Sequence, residues 1–543
     1  MNPWWARLRR WGTPLLAACA SAALLSLCAR FEARWAWLLW ISLVPWLLAL
    51  GRAESWRSAL WAGVALGASF TVSIVGWFPS VLEGYSGAPR VLCWIGFVLL
   101  APLLQVQFIT FALVLWHARR RGMGPVRTAF LGAFVYVATE YLFPKMFPDT
   151  LGYALADSSW LRQGADVAGV QGLTFVAVLA NLCAAAVAKT LLAQRGRPSR
   201  LLLRPLAAMA ALVLGTAGYG YARIQQVKAR AARGPEIVVG VVQANITKYD
   251  RLAQESSTYD VVRTVLDTHY AMSDALIRDA RADLLVWPET VYPTTFGAAK
   301  SEDGSDLDAE IRGYVTERAV PLIFGAYDTD GQSDYNAAVF LRPGESGSAH
   351  SSYRKTYLFP FTEWMPGPLD NAWVRQFLPW AGTWKRGPGP RAMPFQLRDG
   401  RPLMVAPIIC YESIFPNHAA EEVRGGAELI ITLSNDSWFE GTPAPRQHLW
   451  AAAFRSIETR TPQVRATNSG YSALIDATGE ILAQTEFDKQ VGLPMTVRRP
   501  ERLTTLMVLW GDWLGPTALL GGLALLVVPV RRRKADGEPA PSR

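Results

Sequence analysis

A chain of 543 residues that is 51% hydrophobic and only 18% charged is long enough for several domains and too apolar for an ordinary soluble protein. Its net charge of +10 comes mostly from arginines in short stretches between apolar runs. That is a membrane-topology pattern, and with no basic stripe carrying interleaved aromatics in the polar middle it excludes nucleic acid as the partner.

The first apolar run, 11–29, follows Arg7, Arg9 and Arg10. Leu-Ser-Leu-Cys28 is similar to a lipoprotein processing site, but Leu27 stands where a small residue is required and more spans follow at once, so a retained helix is expected. Further runs at 33–50, 58–80, 91–116, 128–144, 166–188 and 203–222 are mostly near the length that crosses about 30 Å of hydrocarbon. An eighth, 513–530, has Trp510 and Trp513 at its interface. Glu140 lies in the second half of the fifth run, which Pro144 ends. An intramembrane carboxylate is a functional candidate, although this one is close enough to an interface to be solvated there.

Arginine and lysine are unevenly distributed between alternate connections. One set holds Arg7/Arg9/Arg10, Arg52/Arg57, Arg119/Arg120/Arg121/Arg127, Lys189/Arg195/Arg197/Arg200/Arg204 and Arg531/Arg532/Arg533/Lys534; the other holds Arg30/Arg34, Arg90 and Lys145/Arg162. The richer set is expected on the cytoplasmic side with both termini, which puts the large polar segment outside. The expected division is 1–223, a seven-helix membrane domain; 224–502, an extracytoplasmic domain; 503–534, an interfacial segment and eighth span; and 535–543, a cytoplasmic tail.

Within the polar segment, 236–245 is a strand pattern ending in polar residues, 251–281 is helical, and 282–290 is a buried strand with Glu289 at its end. A helix near 306–318, a strand 321–325 and a hairpin 335–341/352–355 come next. The apolar run Pro402-Leu-Met-Val-Ala-Pro-Ile-Ile ends abruptly at Cys410-Tyr411-Glu412-Ser413, as a strand does when it delivers a nucleophile to a strand-to-helix turn. A strand 428–434, a helix near 446–459 and a closing hairpin through Gly479 complete an α/β layered sandwich.

Four of the five cysteines, Cys19, Cys28, Cys93 and Cys183, lie in apolar runs as small hydrophobes, so Cys410 is the one thiol of the polar segment and cannot form a disulfide within it. Reactive groups of open α/β sheets gather at strand carboxyl ends. Glu289, Lys355 and Cys410 each stand at such an end. A carboxylate there can take the thiol proton, an ammonium can hold the oxyanion of a tetrahedral intermediate, and a backbone N–H near Tyr411 can help. Alone, each has a plainer reading: a buried structural cysteine, a loop glutamate, a solvated strand-end lysine. His418 and His448 admit cysteine–histidine chemistry, but neither has a distinctive setting, and His418 is expected to face solvent on the helix after the nucleophile. The five histidines lack metal-ligand spacing, and no metal or cofactor is expected.

In order, Trp287-Pro-Glu289, Arg354-Lys355 and Cys410-Tyr-Glu412 resemble the Glu-Lys-Cys triad of the nitrilase/carbon-nitrogen hydrolase superfamily. Val242-Gln-Ala-Asn-Ile246, Phe359-Pro-Phe-Thr-Glu363, Ser434-Asn-Asp-Ser-Trp-Phe439 and Arg465-Ala-Thr-Asn-Ser-Gly470, with spans on both sides, narrow the resemblance to its membrane-bound apolipoprotein N-acyltransferase family. The resemblance covers essentially the whole chain. It implies a polytopic α-helical membrane domain plus a nitrilase-like αββα sandwich domain in the bacterial inner membrane, facing the periplasm. It also implies transfer of the sn-1 acyl chain of a phospholipid, typically phosphatidylethanolamine, through a thioester on Cys410 to the N-terminal cysteine amine of a diacylated apolipoprotein, by a monomer without cofactor. Glu363 and Glu412 match family carboxylates near the triad and Tyr411 an aromatic beside the nucleophile, with packing and charge balance around the triad as the plainer account of these three; Asn336 matches a polar site residue. Tyr249 stands near a common tryptophan and Glu440 at a common glycine. The aromatic-rich stretch Trp364, Trp373, Phe377, Leu378, Trp380, Trp384 is expected to be a mobile arm over the acyl entrance, against the plainer alternative of a loop packed on the core.

Two other functions share parts of this pattern. A membrane-tethered amidase or nitrilase would use the same triad and finish with water. A transporter or receptor with a ligand-binding outer domain would need no triad at all.

Overall fold

The computed structural model describes residues 3–143, 145–194, 200–246, 258–345, 350–378, 381–439 and 441–529. Pro144, Arg195, Arg197, Tyr249, Trp380, Glu440 and the basic run 531–534 lie outside them.

Among the described residues, helix overlaps each of the expected apolar runs, and five segments are long and apolar enough to cross a membrane: Ala33–Leu50, Trp56–Val75, Arg90–Arg120, Leu161–Ala193 and Leu203–Ala231; Gly12–Cys28 and Leu514–Val527 are shorter apolar helices. The run containing Glu140 forms the helix Pro125–Leu142, which packs along Leu514–Val527. The helix Leu203–Ala231 runs beyond the expected boundary at 223, directly toward the first strand. Glu140 is not solvated: it is 3% exposed, with the Lys145 ammonium 3.3 Å from its carboxylate. Lys145 also meets Asp149 at 3.1 Å and donates to Gln105 Oε1 at 2.8 Å. Lys145, on the connection that leaves the same helix, supplies the cation that a carboxylate this deep requires as a partner.

The remainder forms two stacked mixed sheets. In chain order the strands are β1 Glu236–Gln243, β2 Leu284–Val286, β3 Tyr292–Thr295, β4 Leu322–Thr329, β5 Asp334–Leu341, β6 Ser351–Arg354, β7 Met393–Gln396, β8 Pro402–Ile409, β9 Leu429–Ser434, β10 Gln463–Thr467, β11 Ala473–Ile475, β12 Ile481–Gln484 and β13 Val491–Arg498. One sheet has the order β13-β1-β2-β4-β5-β6 with β3 on β4, and the other β12-β11-β10-β9-β8-β7. Alternation along the strands produces the layers. Ile237, Val239 and Val241 of β1 pack against Leu403, Val405 and Ile409 of β8 between the sheets. The opposite faces of the same strands are covered by helices: Thr258–Ala280 and Glu302–Arg318 on the first sheet, Pro416–Arg424 on the second. This is the expected αββα sandwich.

The helix Ala444–Thr459 lies between the second sheet and the apolar helices. Only Arg446 along it is not buried, as expected of a helix enclosed on all sides. Phe454 meets Tyr153 edge-on at 5.0 Å. At its end Arg460 is fully enclosed and donates to Asp166 Oδ2 at 2.9 Å, while Arg223 and Tyr219 reach the same carboxylate at 2.6 and 2.7 Å. These ties join the sandwich to the helical region and bring the second sheet's loops against it.

Candidate active site

Three strand ends supply the principal groups. Glu289 follows β2 after Trp287-Pro288, Lys355 follows β6, and Cys410 follows β8. Because β2 is parallel to β4 and β5 is antiparallel to both β4 and β6, β2 and β6 run the same way and release their residues at one edge. Gly325 of β4 makes the close approach possible: a Cβ there would lie 2.6 Å from Glu289 Cα. The Gly325 N–H secures that turn by donating to Pro288 O at 3.0 Å.

Lys355 is 1% exposed and bridges two carboxylates. Its Nζ donates to Glu289 Oε1 at 3.0 Å and Glu363 Oε1 at 2.8 Å, and Asn336 Nδ2 donates to the same two oxygens at 2.8 and 3.1 Å. The outer oxygens are held by main chain, Glu289 Oε2 by Asn435 N at 3.1 Å and Glu363 Oε2 by Phe359 N at 2.7 Å. Burial alone would discharge Lys355, but the charges of Glu289 and Glu363 outweigh it and hold the ammonium well above its ordinary pKa.

Cys410 opens the 3₁₀ turn Cys410–Ile414 with φ of 50°. Burial, then the negative charge of Glu289, push its thiol well above the usual cysteine range, while Lys355 pulls the other way. The resting group is therefore the neutral thiol, and it needs a base to become a nucleophile. Glu289 Oε2 accepts one N–H and retains a lone pair for this.

Glu412 is entirely buried. Its Oε1 accepts from Tyr353 Oη at 2.8 Å and from Thr356 N at 2.6 Å, and its Oε2 from Ile409 N at 2.8 Å. It thus ties the turn bearing Cys410 to the segment just after Lys355. Tyr411 lies edge-on to Phe359 and Phe415 at 4.9 and 5.2 Å. Trp364 stands beside the polar group, its Nε1 donating to Leu358 O at 3.0 Å and its ring carrying the Arg386 guanidinium at 4.1 Å. In the aromatic segment, Ala372–Phe377 is helical and Trp384 packs on Tyr327 at 4.5 Å.

Cys410, Tyr411 and Phe359 form one wall of a small cavity; Trp77, Met146 and Phe147, from connections within the apolar helical region, form another. The thiol therefore opens onto an apolar space shared with the helices that can cross a membrane.

Both histidines are placed differently from expectation. His418 does not face solvent: it is fully buried, with Nε2 3.2 Å from Tyr353 Oη and 3.4 Å from Glu422. Its helix packs its inner face beneath β8, and burial of the ring is opposed by Glu412 and Glu422, which lift it to a pKa of about 9. His448 does have a distinctive setting, with Nε2 3.0 Å from the Cys410 carbonyl and Nδ1 2.9 Å from Asp436 Oδ1. Sequence reasoning passed over it; the run Gln447-His448 inside an alanine-rich helix was the available signal. Among the described residues no three His, Cys, Asp or Glu side chains gather as a metal site requires.

The sequence profile of the Carbon-nitrogen hydrolase family matches residues 238–493, and that of the Apolipoprotein N-acyltransferase N-terminal domain matches residues 21–183. A curated apolipoprotein N-acyltransferase of Methylococcus capsulatus is 31% identical over 436 residues, 78% of this chain and 79% of that one. The chain belongs to the apolipoprotein N-acyltransferase family. A second family member, from Geobacter metallireducens, is 28% identical over 509 residues, 91% of each chain. Among solved structures, a carbon-nitrogen hydrolase from Helicobacter pylori G27 aligns at 16% identity and a TM-score of 0.35, covering 55% of this chain and 95% of that one. The chain is thus a membrane-embedded acyltransferase with a nitrilase-like domain. Neither the purely hydrolytic alternative nor the transporter or receptor reading is favoured by these matches.

Proposed function

We propose that this enzyme moves the sn-1 acyl chain of a phospholipid, phosphatidylethanolamine in the typical case, onto Cys410 and then to the N-terminal amine of a diacylglyceryl-modified cysteine in an apolipoprotein. The observation that carries this reading is the Cys410 cavity, one wall from the sandwich and one from connections between the apolar helices, beside the Glu289–Lys355–Glu363 group.

In the first half-reaction Glu289 takes the thiol proton and the thiolate attacks the ester carbonyl. The oxyanion is held by the Lys355 ammonium and a main-chain N–H near Tyr411. Collapse breaks the ester bond, the glycerol oxygen takes the proton back from Glu289, and lysophospholipid leaves. In the second, the acceptor amine attacks the thioester and loses a proton to Glu289. The amide forms, and the Cys410 thiolate leaves and recovers that proton. The apolar walls favour the amine over water by keeping the thioester dry.

Glu363 and Asn336 hold Lys355 and Glu289 in place, and Glu412 and Tyr411 hold the nucleophile's turn. Trp364 and the segment through 384 cover the acyl entrance as an arm that touches the bilayer. The membrane part is 1–223, the catalytic part 224–502, the final interfacial segment and span 503–534 and the tail 535–543. The arginine and lysine bias supports an inner-membrane protein with cytoplasmic termini and a periplasmic catalytic part, acting as a monomer.

The test supplies the purified protein with phosphatidylethanolamine labelled in the sn-1 chain and a synthetic diacylated lipopeptide. The expected result is a labelled triacylated lipopeptide with an equimolar amount of lysophospholipid. Release of free fatty acid with the lipopeptide unchanged would contradict the transferase reading and favour the amidase-like alternative.

A further inference from the structure

Cys410 occupies backbone space that non-glycine residues seldom visit, φ 50°, and such a conformation persists only where its surroundings over-determine it. The main chain is held on both sides. One residue earlier, Ile409 N donates to Glu412 Oε2. At Cys410 itself the carbonyl oxygen faces His448 Nε2 at 3.0 Å. A carbonyl only accepts, so Nε2 carries the hydrogen. Cys410 and His448 both line the cavity.

The ring is aimed in turn. Nδ1 lies between two partners, 2.9 Å from Asp436 Oδ1 and 3.0 Å from Arg465 Nη2, and Arg465 Nη2 also donates to Asp436 Oδ2 at 2.9 Å. Burial opposes the charge on Asp436, but Arg465 and His448 together hold its carboxyl far below the ordinary carboxylate range. No side chain fits at position 470, where a Cβ would fall 2.2 Å from Asp436 Oδ2. Asp436 after β9, and Arg465 and Gly470 on and after β10, are thus assembled around one imidazole.

We propose that His448, oriented by Asp436, is a positioning residue for acyl transfer: its Nε2 hydrogen bond fixes the Cys410 main chain in the left-handed conformation that presents Sγ to the acyl carbonyl. This rests on Cys410 being the nucleophile. A group acting in this way changes the rate at which bound lipid acylates the thiol and leaves lipid binding alone, because it touches no lipid.

The experiment compares His448→Gln, whose amide can donate to the same carbonyl, with His448→Met, which fills similar space without a donor. Full-length protein in lipid nanodiscs is given alkyne-tagged phosphatidylethanolamine, and formation of the Cys410 thioester is followed over a single turnover across lipid concentrations. For His448→Met the maximal acylation rate should fall about 10²-fold, the loss expected of a misplaced reacting atom, with half-saturating lipid unchanged. His448→Gln should recover at least about tenfold of that loss. Two results would overturn the proposal: acylation of His448→Met within about threefold of the unaltered protein, or Gln as slow as Met. If the unaltered protein forms no thioester at all, the reading of Cys410 as nucleophile fails instead.

Discussion

Replacing Lys355 by alanine is expected to lower acyl-enzyme formation at least about 10³-fold, because it removes an oxyanion donor worth about 10²–10³ by itself and disables the base as well. The second effect follows from the geometry. Glu289 and Glu363 both point Oε1 at Nζ, 3.0 and 2.8 Å away, and with the ammonium gone only the Asn336 amide is shared by a buried and a half-buried carboxylate. Like charges so placed cannot both stay ionised, and the proton they retain occupies the base that should take one from Cys410. Lys355→Arg should not rescue the reaction, since a 1%-exposed slot between two carboxylates has no room for a planar guanidinium. Single-turnover thioester formation checks this, and a loss of less than about tenfold would remove Lys355 from the proposed chemistry.

The second large effect concerns stability as well as rate. Glu412 accepts from the main chain of Ile409 and Thr356 and from the Tyr353 hydroxyl, all within 2.8 Å, with Tyr357 N at 3.2 Å. Glu412→Ala strands these donors in a buried site. At about 1–3 kcal/mol for each unsatisfied donor, a loss of about 3 kcal/mol or more is expected, with turnover lost because the turn bearing Cys410 is no longer tied to the segment bearing Lys355. Glu412→Gln should rescue little: its one oxygen can serve the Oε1 donors, but its amide then meets the Ile409 N–H donor to donor. Apparent melting temperature and turnover in detergent are the readouts, and a Gln variant indistinguishable from the unaltered protein would contradict this role.

The positions of β2 and β8 were legible because apolar runs end abruptly near Glu289 and at Cys410, and such runs carry that information locally; β6, Ser-Ser-Tyr-Arg, has no apolar run and was legible only as the second arm of a hairpin. The eight apolar runs were legible for the same reason. What could not be read depends on which faces meet. His418 sits on a short helix whose sequence permits either face to turn outward, and only packing beneath β8 and beside Glu422 buries it. The helix carrying His448 looks half polar, yet the second sheet covers one side and apolar helices the other, so its polar residues become internal ligands for main chain and for Asp436. Glu140 lies near the end of its apolar run, where hydration is expected; folding buries it instead, with Lys145 beside it. Gly325 carries no signal of its own, because its need for a bare Cα arises from the turn at Glu289 on a neighbouring strand.

All of this rests on Cys410 as an acyl carrier between a lipid and an amine. The most direct test incubates the purified protein with alkyne-tagged phosphatidylethanolamine without acceptor, then locates the tag by digestion and mass spectrometry. The account predicts one hydroxylamine-labile acyl group on the peptide containing Cys410, absent from Cys410→Ala and discharged when a diacylated lipopeptide is added. A tag on another residue, or triacylated lipopeptide formed by Cys410→Ala at the normal rate, would contradict it.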